Sequence, residues 1–322
     1  MSTPPARQRL STPTTPSAAE QLLQELALFS DQVEAFLDAS TIQYCPEDPD
    51  SIVIHAWHDY RWGPLDNPGQ RLQRQLLETW RPLMERVRLL LTGDPSVTQQ
   101  RLYKLDAFVI RWLDRPADEF DFTIPKSIPE AKEQFRTELA PCFELLDSLG
   151  QSARTTVVVP DTNVLIRSPD VARYDRVLGV SAYTVVLIPP VLAELDALKV
   201  GHSSPQVREK ARKFSGRIKE WRRRGELHRG VKVQGQVTVR TEGREPNLQG
   251  SLSWLDPTVA DDRIIACLLE LQRRQPTARI LLLTGDVNLL AKADLAGIPL
   301  PIRLTQTRPD QVPSLLKSRP AC

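Results

Sequence analysis

The stretch TTVVVPDTNVL, residues 155–165, strings five β-branched residues together, then a proline and an aspartate, then an apolar pair. A short β-branched run bounded by a turn signal reads as a buried strand, and this one delivers Asp161 at its carboxyl end. The same grammar recurs downstream. TVVLIPP (184–190) is a second strand, followed by helical patterning in VLAELDAL (191–198) and in residues 207–224. VKVQGQVTV (231–239) alternates valine with polar residues around Gln-Gly, which predicts a hairpin. Residues 259–274 pattern as a helix, ARILLLT (278–284) as a buried strand, and 286–297 as a helix stopping near Gly297. IPLPIRL (298–304) is expected to add a last short strand. Strands alternating with helices imply an α/β unit with a mostly parallel central sheet and helices on both faces.

Upstream the pattern changes. Residues 1–17 hold four prolines and almost no apolar side chains, and read as a disordered tail. From Ala18, Leu22, Leu26, Phe29, Val33 and Phe36 recur every three or four residues, the period of a helix with one buried face. Three more helical patterns begin near residues 70, 99 and 128, so 18–150 is expected to be a mainly α-helical domain of four helices. Pro82 and Pro141 are expected to bend or split two of them. Between the first two lies an ordered connection or small insertion, residues 40–68, carrying the acidic run PEDPD and the segment IHAWHDYRWG.

A chain of 322 residues has room for about two domains of roughly 150 residues. Their charges differ in sign. Residues 1–150 carry 15 Lys/Arg against 23 Asp/Glu, a balance of −8, while 151–322 carry 27 against 17, or +10. That asymmetry points the second half at a polyanion. Every apolar run is broken by charge, so no membrane span is expected, and Met1 leads into no signal-peptide pattern. Four cysteines (Cys45, Cys142, Cys267, Cys322) at wide spacing suit neither a disulfide scaffold nor a zinc ribbon, and a reducing, cytoplasmic setting is expected.

Acids mark the ends of the expected strands. Asp161 follows the first, Glu194 and Asp196 follow the second, Asp261 and Asp262 open the helix at 260, and Asp286 follows the last. Each alone reads as a helix cap or a favourable charge at a helix start. Brought together, they would raise each other's pKa unless a cation neutralised them. Hard Mg²⁺ or Mn²⁺ suits carboxylate and water oxygens, and the lack of nearby His or Cys argues against zinc. Such an ion in a basic domain is what metal-assisted phosphodiester hydrolysis requires. Ile264 and Ile265 set the buried face of their helix, which favours Asp261 over Asp262 as the working acid; Asp262 lies about 100° further round. Asp196 reads as a surface residue.

At VVVPDTNVL (157–165), PPVLAELD (189–196), ADDRII (260–265) and LTGDVNLLAKA (283–293) the chain resembles the PIN-domain family of nucleases. The resemblance covers about residues 155–304. It implies a three-layer α/β/α fold over 151–306, a C-terminal tail at 307–322, and cleavage of single-stranded RNA dependent on one or two Mg²⁺ or Mn²⁺ ions. Carried over by position, Asp161, Glu194, Asp261 and Asp286 are the catalytic, metal-holding acids. Asn163, Asp262, Thr284 and Asn288 are outer residues that would support them.

A basic helix completes the expectation. Arg208, Lys210, Arg212, Lys213, Arg217, Lys219, Arg222, Arg223 and Arg224 face only two glutamates, with Lys199 just upstream. This is the composition of an RNA-phosphate track, laid on a helix whose Phe214, Ile218 and Trp221 pack inward. His55, His58 and Cys45 sit among Trp57, Tyr60 and Trp62 and read as a packed aromatic cluster rather than a zinc site. The leading expectation is therefore a Mg²⁺/Mn²⁺-dependent endoribonuclease behind an acidic helical domain. That domain would bind a protein partner, form a homo-oligomer, or cover the basic cleft with acids such as Glu47, Asp48 and Asp50. The rivals are a catalytically silent RNA-binding scaffold and a DNA flap or 5′-nuclease.

Overall fold

The computed structural model describes residues 15–45, 60–91, 96–115, 124–152, 155–248 and 251–300. Glu47, Asp48, Asp50, His55, Trp57 and His58 therefore fall outside the described residues, as do the two tails beyond 15 and 300. The chain divides into two units, Ala19–Ser152 and one containing Ala153–Cys322.

Four helices make the first unit: α1 (Ala18–Asp38), α2 (Asn67–Leu90), α3 (Ser96–Asp114) and α4 (Ile128–Gln151). The five apolar residues of the α1 stripe are all buried, and Phe29 stacks on Trp80 of α2 with ring centroids 4.8 Å apart. The Trp80 indole N–H donates to Asp106 Oδ1 at 2.8 Å, which satisfies the only polar atom of a fully buried side chain. Asp66 caps α2 by accepting from Gly69 N–H at 2.7 Å, ahead of a proline in the first turn. Pro82 and Pro141 were expected to bend or split their helices; neither is split, and α2 and α4 each continue over 24 residues across them. Both prolines are exposed, and the carbonyls they deprive, those of Glu78 and Thr137, sit on the solvent-facing side where water can serve them.

The connection after α1 forms a two-stranded antiparallel ribbon, β1 (Ile42–Tyr44) with β2 (Tyr60–Trp62). Arg115 fastens it. The guanidinium lies 4.5 Å from the Phe36 ring and 4.2 Å from that of Trp62, and burial pushes its pKa down to about 10.

The second unit is built on five strands: β3 (Thr155–Pro160), β4 (Ala182–Leu187), β5 (Val231–Gln234), β6 (Gln236–Thr241) and β7 (Ala278–Leu283). Their order is β5-β6-β4-β3-β7, parallel throughout except for the β5–β6 hairpin. Gly235 takes φ +55° at the hairpin turn, a conformation that glycine adopts without cost. The hairpin pairing shifts register between Lys232 and Gln234, a bulge on the outer strand. Helices α5 (Thr162–Arg167), α6 (Asp175–Leu178), α7 (Pro189–Gly201), α8 (Pro205–Arg224) and α9 (Ala260–Arg274) fill the connections between strands, and α10 (Val287–Leu295) follows β7.

Gly297, at φ +65°, stops α10: its N–H reaches Asp294 O at 3.0 Å and that of Ile298 reaches Ala293 O at 2.9 Å. These are the paired bonds of a Schellman cap. The expected last strand is not formed over Ile298–Leu300; the Pro299 carbonyl makes one bond, from Leu282 N–H at 3.4 Å, along the outer edge of β7. Pro299 and Pro301 lack the N–H groups that a ladder needs. No helix among the described residues is long and apolar enough to cross a membrane.

Candidate metal centre

Strand register creates the centre. β3 and β7 lie side by side with Pro160 opposite Leu283, so the residues just beyond them, Asp161 and Thr284, emerge together. Asp161 N–H bonds Leu283 O at 3.0 Å. The Asp161 carboxylate is buried and doubly held, accepting from Val164 N–H at 2.6 Å as the cap of α5 and from the Thr284 hydroxyl. Thr284 is itself fully buried, and its oxygen also accepts from Asp286 N–H at 3.0 Å. Asp286 caps α10, taking the amides of Asn288 at 2.8 Å and Leu289 at 3.2 Å. From the neighbouring strand β4, the chain turns at Ile188 into two prolines that start α7. Glu194 follows on α7's exposed side and accepts from the Thr162 hydroxyl at 2.7 Å.

Asp161 is electrostatically strained. Its pKa is pushed up to about 6, first by burial; the Thr284 and Val164 hydrogen bonds pull it down, while Glu194 and Asp286 push it up again. Tyr174, sealed beside it and donating to Ser168 O at 3.0 Å, has its own pKa raised well above the usual value by burial and by Asp161. Among the described residues, none of Asp161, Glu194 and Asp286 forms an ion pair. Hydroxyls and amides orient the three acids and leave their charge in place.

The acids of α9 are treated differently. Asp262 is buried, accepts from Asp256 N–H at 3.0 Å, and meets Lys292 Nζ of α10 at 2.6 Å. Asp261 is half-exposed and lies 3.8 Å from the same ammonium. Contact with the two acids raises the Lys292 pKa, Asp262 contributing most.

The arrangement of strand ends and acids has a counterpart among known families. Residues 158–300 match the family model described as the PIN domain. The second unit carries a PIN domain. No curated protein matches the chain significantly. PIN domains are α/β/α proteins, typically nucleases, and generally use divalent metals. The donor set of this PIN domain fits such an ion: two unneutralised carboxylates, Glu194 and Asp286, near that of Asp161, whose own charge is otherwise costly. Among the described residues no three acids stand close enough to enclose an ion unaided. A hydrated Mg²⁺ needs only one or two protein carboxylates, its remaining positions being water.

The structure thus brings Asp161, Glu194, Asp286 and Thr284 together, and sets Asp261 beside Asp262 on Lys292. Asn163 and Asn288 are exposed, and neither side chain makes a hydrogen bond among the described residues; Asn288 contributes its backbone N–H alone. Sequence reasoning passed over Thr162 and Lys292. Thr162 stands next to Asp161 inside the same motif, and Lys292 lies six residues past Asp286, so spacing could have raised both. Asp196 is exposed and paired with Lys199, as its surface reading predicted, which occupies one expected RNA-binding lysine.

The basic helix of the PIN domain, α8, packs against α7 and α5, the helices that carry Glu194 and begin at Asp161. Phe214 and Trp221 are its buried anchors, edge to face at 5.8 Å. Its cations fall into two sets. Arg217 donates to Pro169 O and Arg224 to Lys232 O, both at 2.7 Å, Arg208 donates to the carbonyls of His202 and Ser203, and Lys213 pairs with Glu209. Lys210, Arg212, Lys219, Arg222 and Arg223 are exposed and have no such partner among the described residues. Arg212, Lys219 and Arg223 line up along one face by the 3.6-residue period.

Proposed function

We propose that this chain is a Mg²⁺- or Mn²⁺-dependent endoribonuclease that cuts single-stranded RNA at the PIN domain. The observation that carries this reading is a set of three acids, Asp161, Glu194 and Asp286, positioned by hydroxyls and amides with no cation paired to any of them among the described residues. When bound, the ion polarises the phosphate, makes an attacking water more acidic and stabilises the leaving oxygen. The protein's own share is positioning. Thr284 and Val164 N–H fix both oxygens of Asp161, Thr162 fixes Glu194, and the first turn of α10 fixes Asp286. Asp261, the fourth expected acid, stands at the start of α9 with the Lys292 ammonium 3.8 Å away.

Substrate choice rests on α8, whose unpaired cations would follow a flexible phosphate backbone beside the acids. An acidic groove alone would repel RNA; cations on the adjoining helix offset that repulsion.

The test is cleavage of an end-labelled single-stranded RNA by the full-length chain with Mn²⁺, against Asp161→Asn and against EDTA. Loss of cutting in both is expected. Pure wild-type protein that binds the RNA and leaves it intact with either ion would replace this reading with an RNA-binding scaffold. Faster cutting of branched DNA than of RNA would replace it with a flap nuclease.

A further inference from the structure

Lys292 places a positive charge between two carboxylates at the start of α9. Its Nζ lies 2.6 Å from Asp262 Oδ1 and 3.8 Å from Asp261 Oδ2. Asp262 is almost wholly enclosed; one oxygen takes the Asp256 amide at 3.0 Å, and Oδ1 has the Lys292 ammonium as an ion contact with no aligned hydrogen bond among the described residues. Across the centre, Asp161, Glu194 and Asp286 have no cation at all among the described residues. One ammonium thus offsets one of the two carboxylate charges at the start of α9, while the other three acids have none beside them among the described residues.

A two-ion phosphodiesterase needs a second cation roughly 3.5–4 Å from the first, held by carboxylates of its own. In this chain Asp261 and Asp262 are the remaining acids that could hold one, and an ammonium already lies against them. We propose that Lys292 stands where a second ion would bind, so that this PIN domain takes a single divalent ion, on the side of Asp161, Glu194 and Asp286. The inference rests on the reading of those three acids as the metal site. A lysine is suited to the part: a compact point charge on a flexible stem with three donors, able to lie against two carboxylates at once.

Counting bound ions tests it. Mn²⁺ added to the full-length protein is followed by electron paramagnetic resonance of the free ion and by calorimetry. One Mn²⁺ per chain is expected for wild type and for Lys292→Arg, and two for Lys292→Gln, which keeps a hydrogen-bonding group beside Asp262. Lys292→Met repeats the measurement without that group, and the Lys292→Gln/Asp262→Asn double variant should return to one ion. In wild type any second site should be weaker than in Lys292→Gln by at least about tenfold, because a cation a few ångströms away opposes a divalent ion. Two ions in wild type would overturn the proposal while leaving the nuclease reading in place, and so would a single ion in a Lys292→Gln protein of native circular dichroism. No ion in wild type would overturn the metal site itself. A lysine that only braced the fold would change melting temperature and leave the count alone.

Discussion

In the helical unit Glu25, Glu34, Asp38 and Asp106 each meet an arginine or lysine, whereas in the PIN domain Asp161, Glu194 and Asp286 meet only amides and hydroxyls. Arg136 holds the Glu34 carboxyl below its usual range, while burial and two neighbouring acids hold Asp161 far above it. Exposed pairs such as Glu34 with Arg136 add little to stability and ask nothing of a ligand. The PIN-domain acids are fixed in position while their repulsion is left standing, and groups perturbed in that way are where binding and catalysis concentrate. A carboxylate's partner, more than its presence, separates a working acid from a bracing one.

The sharpest way to break that contrast is to remove one acid from each set. Asp161→Asn should lower RNA cleavage by about 10³-fold or more, the scale of losing several kcal/mol of metal-derived stabilisation. Glu34→Gln should leave the rate within about twofold. Equal losses would erase the distinction.

Stability separates the units next. Trp80→Ala opens a cavity against Phe29 and removes one of the two partners of Asp106, leaving Arg88, which should cost about 3–5 kcal/mol in a urea melt. Asp161→Asn should do the reverse to the metal-free chain. The folded-state pKa is raised to about 6 from 3.8, so between roughly pH 4 and 6 the folded chain holds a proton that the unfolded chain has lost. Metal-free stability therefore falls as pH rises through that window, by up to about 3 kcal/mol, and the penalty is absent below it. Thermal melts in EDTA from pH 4 to 8 should show this slope in wild type and lose it in Asp161→Asn. By the same linkage Mn²⁺ affinity should weaken as pH drops below about 6, where the proton competes.

Smaller effects refine the picture. Thr284→Val removes the hydroxyl that joins Asp161 to Asp286 N–H, and Mn²⁺ affinity should drop by about 10–100-fold, with the fold kept. Changing Arg212, Lys219 and Arg223 together to glutamine should flatten the salt dependence of RNA binding by about 2 units of log–log slope, at about 0.7 per lost contact with a single strand. An unchanged slope would take α8 out of the interface.

Much of this was legible in the chain because two signals agreed. The runs at 155–160, 182–187 and 278–283 are apolar on both faces, as strands covered by helices on either side must be, and Gly297 marks its helix end by a backbone requirement. The ribbon of Ile42–Tyr44 with Tyr60–Trp62 was not, since three-residue strands carry no periodicity and this one depends on Arg115, far away in sequence. Pro82 and Pro141 misled because the rule that they split helices assumes a carbonyl left with no other donor, and theirs face water. Within the centre, the acids could be read from position, but their partners could not. That Thr162 rather than Asn163 orients an acid, and that Lys292 reaches back from α10 to α9, depend on which side chains the fold brings within 3 Å.

The sheet's two margins carry a further consequence. β5 is short, bulged at Lys232–Gln234 and carries exposed Lys232, while β7 has the Leu282 N–H covered by the Pro299 carbonyl. Unpaired strand margins invite other chains to add on, and charge, bulges and covering segments are how proteins discourage it. A chain ended at Gly297 would keep every acid of the centre and lose the cover on β7. Its expected failure is self-association, seen as light scattering at rising concentration, with all four of those acids still in the chain.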